Sequence, residues 1–146
     1  MTEMIPAAGA YSIDGFEIWQ LTTRYAAALD AGEWEALAGI FGEDGVMDFA
    51  HVGEVRGWRS IAEVCAKALD PLDASQHLVG THVIDVAGDS GTVSCYFQAQ
   101  HVRGEGQHLV AGTYRDEVHR TAAGWRIARR TQRVTWTSGD ASVLGG

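Results

Sequence analysis

From Gln76 to Trp136 the chain is almost continuously β-like, and no other feature constrains its fold as strongly. Four long segments cover about 76–86, 92–103, 107–120 and 125–136. Between them lie Gly88-Asp89-Ser90-Gly91, Gly104-Glu105-Gly106 and Thr121 to Gly124. Connections this short and glycine-bearing join antiparallel neighbours in a meander. The segments before residue 76 read differently. Asp14 is placed to cap a helix, with Glu17 three residues on to complete a capping box. Ile18, Leu21, Tyr25, Ala28 and Leu29 then follow one helical face. Gly32 supplies the left-handed residue that ends such helices. Glu33 to Phe41 reads as a short second helix, and Trp58 to Leu69 as a third, stopped by Asp70-Pro71. Short strands are expected at Val46 to Phe49 and Glu54 to Arg56.

Helices first and a meander afterwards make an α+β fold. A twisted sheet of four to six strands with helices on one face curls into a cone-shaped half-barrel, and its concave side can hold a pocket. Apolar residues are 46% of 146, enough for one core in one domain. The expected organisation is an N-terminal arm over 1–13, a single domain over 14–137 and a flexible tail over 138–146. The formal net charge of −8 argues against nucleic acid or an anionic membrane as partner. No apolar run has bilayer-spanning length, and the N-terminus lacks the pattern of a signal peptide. Cys65 and Cys95 are too few for a disulfide framework and read as core residues. The expectation is a soluble cytoplasmic protein with no cofactor and no metal site, because nothing has ligand or phosphate-loop spacing.

The residues able to carry chemistry are scattered. His77 and His82 share the first long β segment. Five apart, they point to opposite faces unless a bulge intervenes. His101 ends an alternating apolar set with Val93, Cys95, Phe97 and Ala99, and reads either as a core histidine or as a pocket residue. His51, His108 and His119 read as loop or surface residues. Asp30 lies in the last turn of the first helix, where the helix dipole disfavours a carboxylate. Either it stabilises the turn at Ala31-Gly32-Glu33, or it accepts a hydrogen bond from a histidine and makes that ring a better base. Tyr25 is either one aromatic of an amphipathic helix or a buried donor to a substrate oxygen. Arg130 shares a strand face with Val134 and Trp136. Among apolar neighbours it needs an anion, either a substrate group or Asp116 or Glu117 on the next strand.

Several runs resemble a known family. Tyr25-Ala-Ala-Ala-Leu-Asp30-Ala-Gly-Glu-Trp34, followed by Leu37 and Phe41, is similar to the opening of SnoaL-like proteins of the nuclear transport factor 2-like superfamily. So are Gly57, His77-Leu-Val-Gly-Thr, Gly112-Thr-Tyr-Arg-Asp and Gly124-Trp-Arg-Ile-Ala-Arg-Arg130. The nearest branch holds scytalone dehydratase, bile-acid 7α-dehydratase and hexachlorocyclohexane dehydrochlorinase. The resemblance implies an Asp30–His77 base, with Tyr25 as catalytic donor where the dehydrochlorinase has a lysine. It implies a pocket in which His101, Arg130, Phe97 and Trp136 contact substrate. The activity it implies is a cofactor-free lyase or isomerase acting on an apolar polyketide-, steroid- or terpenoid-like ring. Two alternatives share the fold: a non-catalytic small-molecule-binding or accessory module, and a polyketide cyclase using the same base. The apolar outer face of the sheet, with the resemblance, implies a homo-oligomer, a trimer or dimer.

Overall fold

The computed structural model describes residues 12–145. The N-terminal arm therefore falls outside the described residues up to Tyr11. Helix α1 spans Ile13–Ala31. Its N-cap is Ser12, whose hydroxyl accepts from the Gly15 amide at 3.0 Å, not Asp14. Asp14 lies in the first turn instead and accepts from the Arg120 guanidinium at 2.8 Å and the Trp125 indole at 3.2 Å. Those two partners tie the helix start to the far end of the sheet. At the other end Gly32 takes φ 68°, and the Glu33 amide reaches back to the Ala28 carbonyl at 2.9 Å. A side chain at Gly32 would strain that left-handed turn.

The second helix is shorter and tighter than its spacing predicts. Trp34–Gly39 forms a 3₁₀ helix, and Phe41 already belongs to strand β1 (Phe41–Phe49). The Ile127 amide donates to the Ile40 carbonyl at 2.8 Å, which draws the chain into the sheet before a full α-helical turn can continue. Residues 42–45 bulge out of β1, because Phe41 pairs with Ile127 while Val46 pairs with Arg129. Strand β2 is Gly53–Arg56, and α2 covers Trp58–Leu69 with Ile61, Ala62 and Cys65 buried. The meander follows as β3 (Ala74–Ala87), β4 (Ser90–Arg103), β5 (Gly106–Thr121) and β6 (Gly124–Gly139).

These six strands form one open sheet in the order β2-β1-β6-β5-β4-β3, parallel only between β1 and β6. The helices cover its concave side, and the core lies between. Ile18, Leu21 and Leu29 of α1 meet Phe97, Val118, Trp125 and Ile127 of the sheet there. The segment expected to be a flexible tail is folded: β6 runs through Gly139, and Ala141–Leu144 forms a second 3₁₀ helix. Asp140 caps it through the Ser142 amide, and Val143 is buried against the start of β5. No helix among the described residues is long and apolar enough to cross a membrane.

Candidate active site

Under the helices the sheet encloses a cavity of about 410 Å³, within the range of small-molecule sites. Its wall is mostly apolar, from Leu29, Phe49, Val64, Leu69, Phe97 and Val110. Tyr25, His77, His101, His108 and Gln132 are among its polar points, with His51, Tyr114 and Thr137.

Asp30 and His77 meet at this wall. The His77 ring donates from Nδ1 to Asp30 Oδ1 at 2.6 Å, and the His77 amide donates to Oδ2 at 2.8 Å. The Ser75 hydroxyl adds a third bond to Oδ1 at 3.2 Å. Three donors from β3 thus offset the unfavourable position of a carboxylate at a helix C-terminus. Burial pushes the Asp30 pKa up, but the bonds from His77 and Ser75 outweigh it and hold it below the ordinary value. Asp30 is therefore an anion near neutral pH, and it fixes the proton of His77 on Nδ1. The neutral imidazole then carries its lone pair on Nε2, the configuration of a general base.

Tyr25 is 1% exposed, and its ring stands edge-on to Phe41 and Tyr114. Its hydroxyl donates to Met47 Sδ at 3.3 Å and lies 3.8 Å from Cys65 Sγ. Sulfur is a weak acceptor, so this donor gives up little when it turns to an oxygen. Burial raises its pKa well above the usual phenol value, which keeps the proton in place. Burial likewise pushes the Cys65 and Cys95 thiols up to about 11, so neither is a thiolate.

His101 donates from Nδ1 to the His108 carbonyl at 3.0 Å. Burial lowers its pKa, more than the carbonyl bond raises it, so the ring is neutral at pH 7. Its free nitrogen is then an acceptor, suited to a substrate hydroxyl rather than to polarising a carbonyl. The His77 and His101 rings meet edge to face at 6.1 Å.

Two expected pocket residues are elsewhere. Arg130 is fully buried, but it does not line the cavity. Its guanidinium forms two 2.8 Å bonds to Asp116 and stacks on the rings of Tyr25 and Tyr114, 4.5 and 4.1 Å away. The anion it needs is Asp116, one of the two partners the sequence offered. Trp136 is 46% exposed and absent from the cavity wall. Thr135 is skipped in the pairing of β6 with β5, which turns Trp136 outward and brings Thr137 to the cavity.

A bulge also overturns the separation of His77 and His82. Thr81 and His82 together oppose Cys95, and Thr81 takes φ 55°. Both histidines consequently face α1. The Thr22 hydroxyl donates to the Trp19 carbonyl, so it accepts from His82 Nε2, each at 2.7 Å. His108 was assigned to the surface and instead is buried on the cavity wall. Its position directly across the Gly104-Glu105-Gly106 hairpin from His101, alternating with Val110, was the available signal. Leu144 and Ala141 of the C-terminal 3₁₀ helix complete that end of the cavity. No group of three or more His, Cys, Asp or Glu among the described residues is arranged to hold a metal ion.

An open mixed sheet curled around one long helix, with a mainly apolar cavity between, defines a cone-shaped α+β fold of the nuclear transport factor 2-like kind. The chain belongs to the SnoaL-like domain family, which it matches over residues 12–131. Protein Rv2910c of Mycobacterium tuberculosis is 30% identical over 123 residues, 82% of this chain and 84% of that one. A nuclear transport factor 2-like protein from Novosphingobium aromaticivorans superposes with a TM-score of 0.74 at 28% identity, covering 88% of this chain and 84% of its own. Two more distant structures share the fold. One is described as a putative scytalone dehydratase from the same bacterium (TM-score 0.79, 22% identity, 88% of each chain). The other is a hexachlorocyclohexane dehydrochlorinase from Novosphingobium barchaimii (TM-score 0.76, 17% identity, 86% and 89%).

Proposed function

We propose that this protein is a cofactor-free lyase or isomerase of the dehydratase type, acting on a small apolar cyclic molecule. The observation that carries the reading is the 2.6 Å bond between His77 Nδ1 and Asp30 Oδ1 at the wall of a mainly apolar cavity. His77 Nε2 takes a proton from the carbon next to a carbonyl, and the electron pair moves into an enolate. The enolate then expels a hydroxyl from the β-carbon. Tyr25 hydrogen-bonds the leaving hydroxyl, and the His77 imidazolium returns its proton to it, so that water leaves and the neutral imidazole is restored. In an isomerisation the same base returns the proton to another carbon. Asp30 keeps the imidazole in one tautomer and stabilises its charged form.

The test is turnover of a panel of cyclic β-hydroxy ketones by the wild type, His77→Ala and Asp30→Asn. A positioned general base is worth on the order of 10²–10⁴ in rate, so His77→Ala is expected to lose that much. Unchanged turnover in both variants refutes the dyad. Binding of the same ketones with no turnover by the wild type leaves a binding module of the same fold. The exposed Leu78, Val83, Tyr96 and Trp136 support a homo-oligomer, which light scattering after size exclusion tests. A clean monomer would refute it.

A further inference from the structure

In the proposed reaction His77 and His101 present acceptors and Tyr25 serves the leaving hydroxyl, so the carbonyl oxygen lacks a donor. The cavity wall holds a second phenol, Tyr114. Tyr25 directs its proton to Met47 Sδ. The Tyr114 hydroxyl has no such partner and makes no hydrogen bond among the described residues. Nor is its oxygen sealed in. Among the described residues, the fully enclosed side-chain atoms without a partner are His108 Nδ1 and Arg130 Nη1. Tyr114 is only 2% exposed, and the little surface it keeps lies at the cavity it lines. The ring is fixed on both faces. Phe97 stacks on it at 4.4 Å with 14° between the planes, and the Arg130 guanidinium lies 4.1 Å from its centroid. Asp116, two residues further along the same face of β5, holds that guanidinium in turn. Burial keeps the Tyr114 pKa above the usual phenol value, against the pull of the guanidinium, so the proton stays in place. A cation over the ring draws electron density from the phenol oxygen and makes the hydroxyl a stronger donor.

We propose that Tyr114 is the hydrogen-bond donor to the substrate's carbonyl oxygen, the atom on which negative charge develops as His77 removes the neighbouring proton. The inference rests on the lyase or isomerase reading and gives the two phenols separate tasks. Tyr114 holds the enolate oxygen, and Tyr25 the leaving hydroxyl. Their rings meet edge to face with centroids 5.8 Å apart. When the C–H bond breaks, the electron pair moves onto the oxygen that Tyr114 already bonds. It returns to the carbon skeleton as the bond to the leaving hydroxyl breaks. Tyr114 keeps its own proton throughout. A donor fixed beforehand at the place where charge appears, in a wall of low polarity, needs no reorganisation during the reaction. The stacking of Phe97 and Arg130 supplies that fixity.

Infrared spectroscopy of a bound ketone tests this without turnover. The probe is 2-acetylnaphthalene, which has no β-hydroxyl to lose, with and without an isotope label at its carbonyl carbon. The difference spectrum isolates the carbonyl band of the bound ketone. In the wild type that band is expected below its position in hexane, and in Tyr114→Phe it should return close to the hexane position. Phenylalanine keeps the ring between Phe97 and Arg130, so the variant should fold. Tyr25→Phe should retain the wild-type band. The proposal is overturned by a band unmoved in Tyr114→Phe, by one that moves in Tyr25→Phe instead, or by a wild type that does not bind the ketone. If melting curves show that Tyr114→Phe does not fold, the wild type still decides: a band at the hexane position overturns the proposal. With cyclic β-hydroxy ketones, Tyr114→Phe is expected to lower kcat by about 10²–10³ while KM changes little. His77→Ala should keep the infrared shift, because the shift does not need the dyad. A shift without any wild-type turnover supports the donor and refutes only the reaction. Turnover that depends on His77 but not on Tyr114 refutes the role of Tyr114 alone.

Discussion

Replacing Asp116 by Asn isolates what Arg130 does. In the native protein a fully buried guanidinium makes two 2.8 Å bonds to a fully buried carboxylate. It is flanked by Tyr25 and Tyr114, and its Nη1 has no hydrogen-bond partner among the described residues. The Asn amide is neutral and accepts through one oxygen only. Arg130 then keeps its charge with one acceptor and two ring faces. Breaking a buried pair in this way costs about 3–5 kcal/mol, at least about a fifth of a typical domain's total of about 5–15 kcal/mol. For a chain of this size that lowers the melting temperature by about 10–15 °C. Differential scanning calorimetry and urea titration measure it. Asp116→Leu with Arg130→Met should recover most of the loss, because two apolar groups remove both charges together. A loss below about 1 kcal/mol, or a double variant no better than the single, refutes the structural role. An arginine that instead served a substrate anion would bind arylcarboxylates more tightly once Asp116 was neutralised. With Arg130 off the cavity wall, no such gain is expected.

The other perturbations are local. Thr81→Gly removes a β-branched residue from φ 55°, a conformation costing about 1–3 kcal/mol and only partly offset by glycine's added freedom in the unfolded chain. Its melting temperature should rise by a few degrees, and a fall would show that the bulge is not strained. Deleting residues 140–146 removes buried Val143, worth about 1.5–3 kcal/mol. A drop of about 4–8 °C is expected, and an unchanged melting curve would mean that the segment does not dock. Because the folded pKa of Asp30 is held below its unfolded value, its stabilisation is full above the unfolded pKa. It disappears as the pH falls through the folded one. Asp30→Asn should therefore flatten the acid limb of urea stability below about pH 4. A limb as steep as in the wild type would refute the assignment.

Much of the frame could be read from local chemistry. Gly32 ends α1 in the left-handed turn its position predicts, and Trp58–Leu69 is a helix over the predicted span. The three meander hairpins fall at the glycine-bearing connections. These signals are local, so sequence order carries them. The 3₁₀ helix at 34–39 depended on a distant partner, the Ile127 amide. The folded C-terminus depended on a place for Val143 against β5, which the composition of a Gly- and Ser-rich tail does not advertise.

Which residues line the candidate site depends on side-chain direction, and that was legible only in part. Simple alternation assigns faces correctly along β4 and β5, where His101, Phe97, Tyr114 and Asp116 all point inward. It fails on β3 and β6, the strands that carry bulges. An inserted residue reverses every side chain beyond it. On β6 the skips at Ala128 and Thr135 bury Ile127 and Arg130 together and exchange Trp136 for Thr137 at the cavity. On β3 the insertion at Thr81 turns His82 to the same side as His77. There it holds Thr22, two turns of α1 before Asp30. With Asp14 tied to Arg120 and Trp125 at the helix start, α1 is fixed to the sheet at three points along its length. A helix so fixed cannot slide without breaking the Thr22 contact, and that restraint helps keep Asp30 at 2.6 Å from His77. The bulge that defeated the parity argument thus makes His82 an anchor of α1 between Asp14 and Asp30.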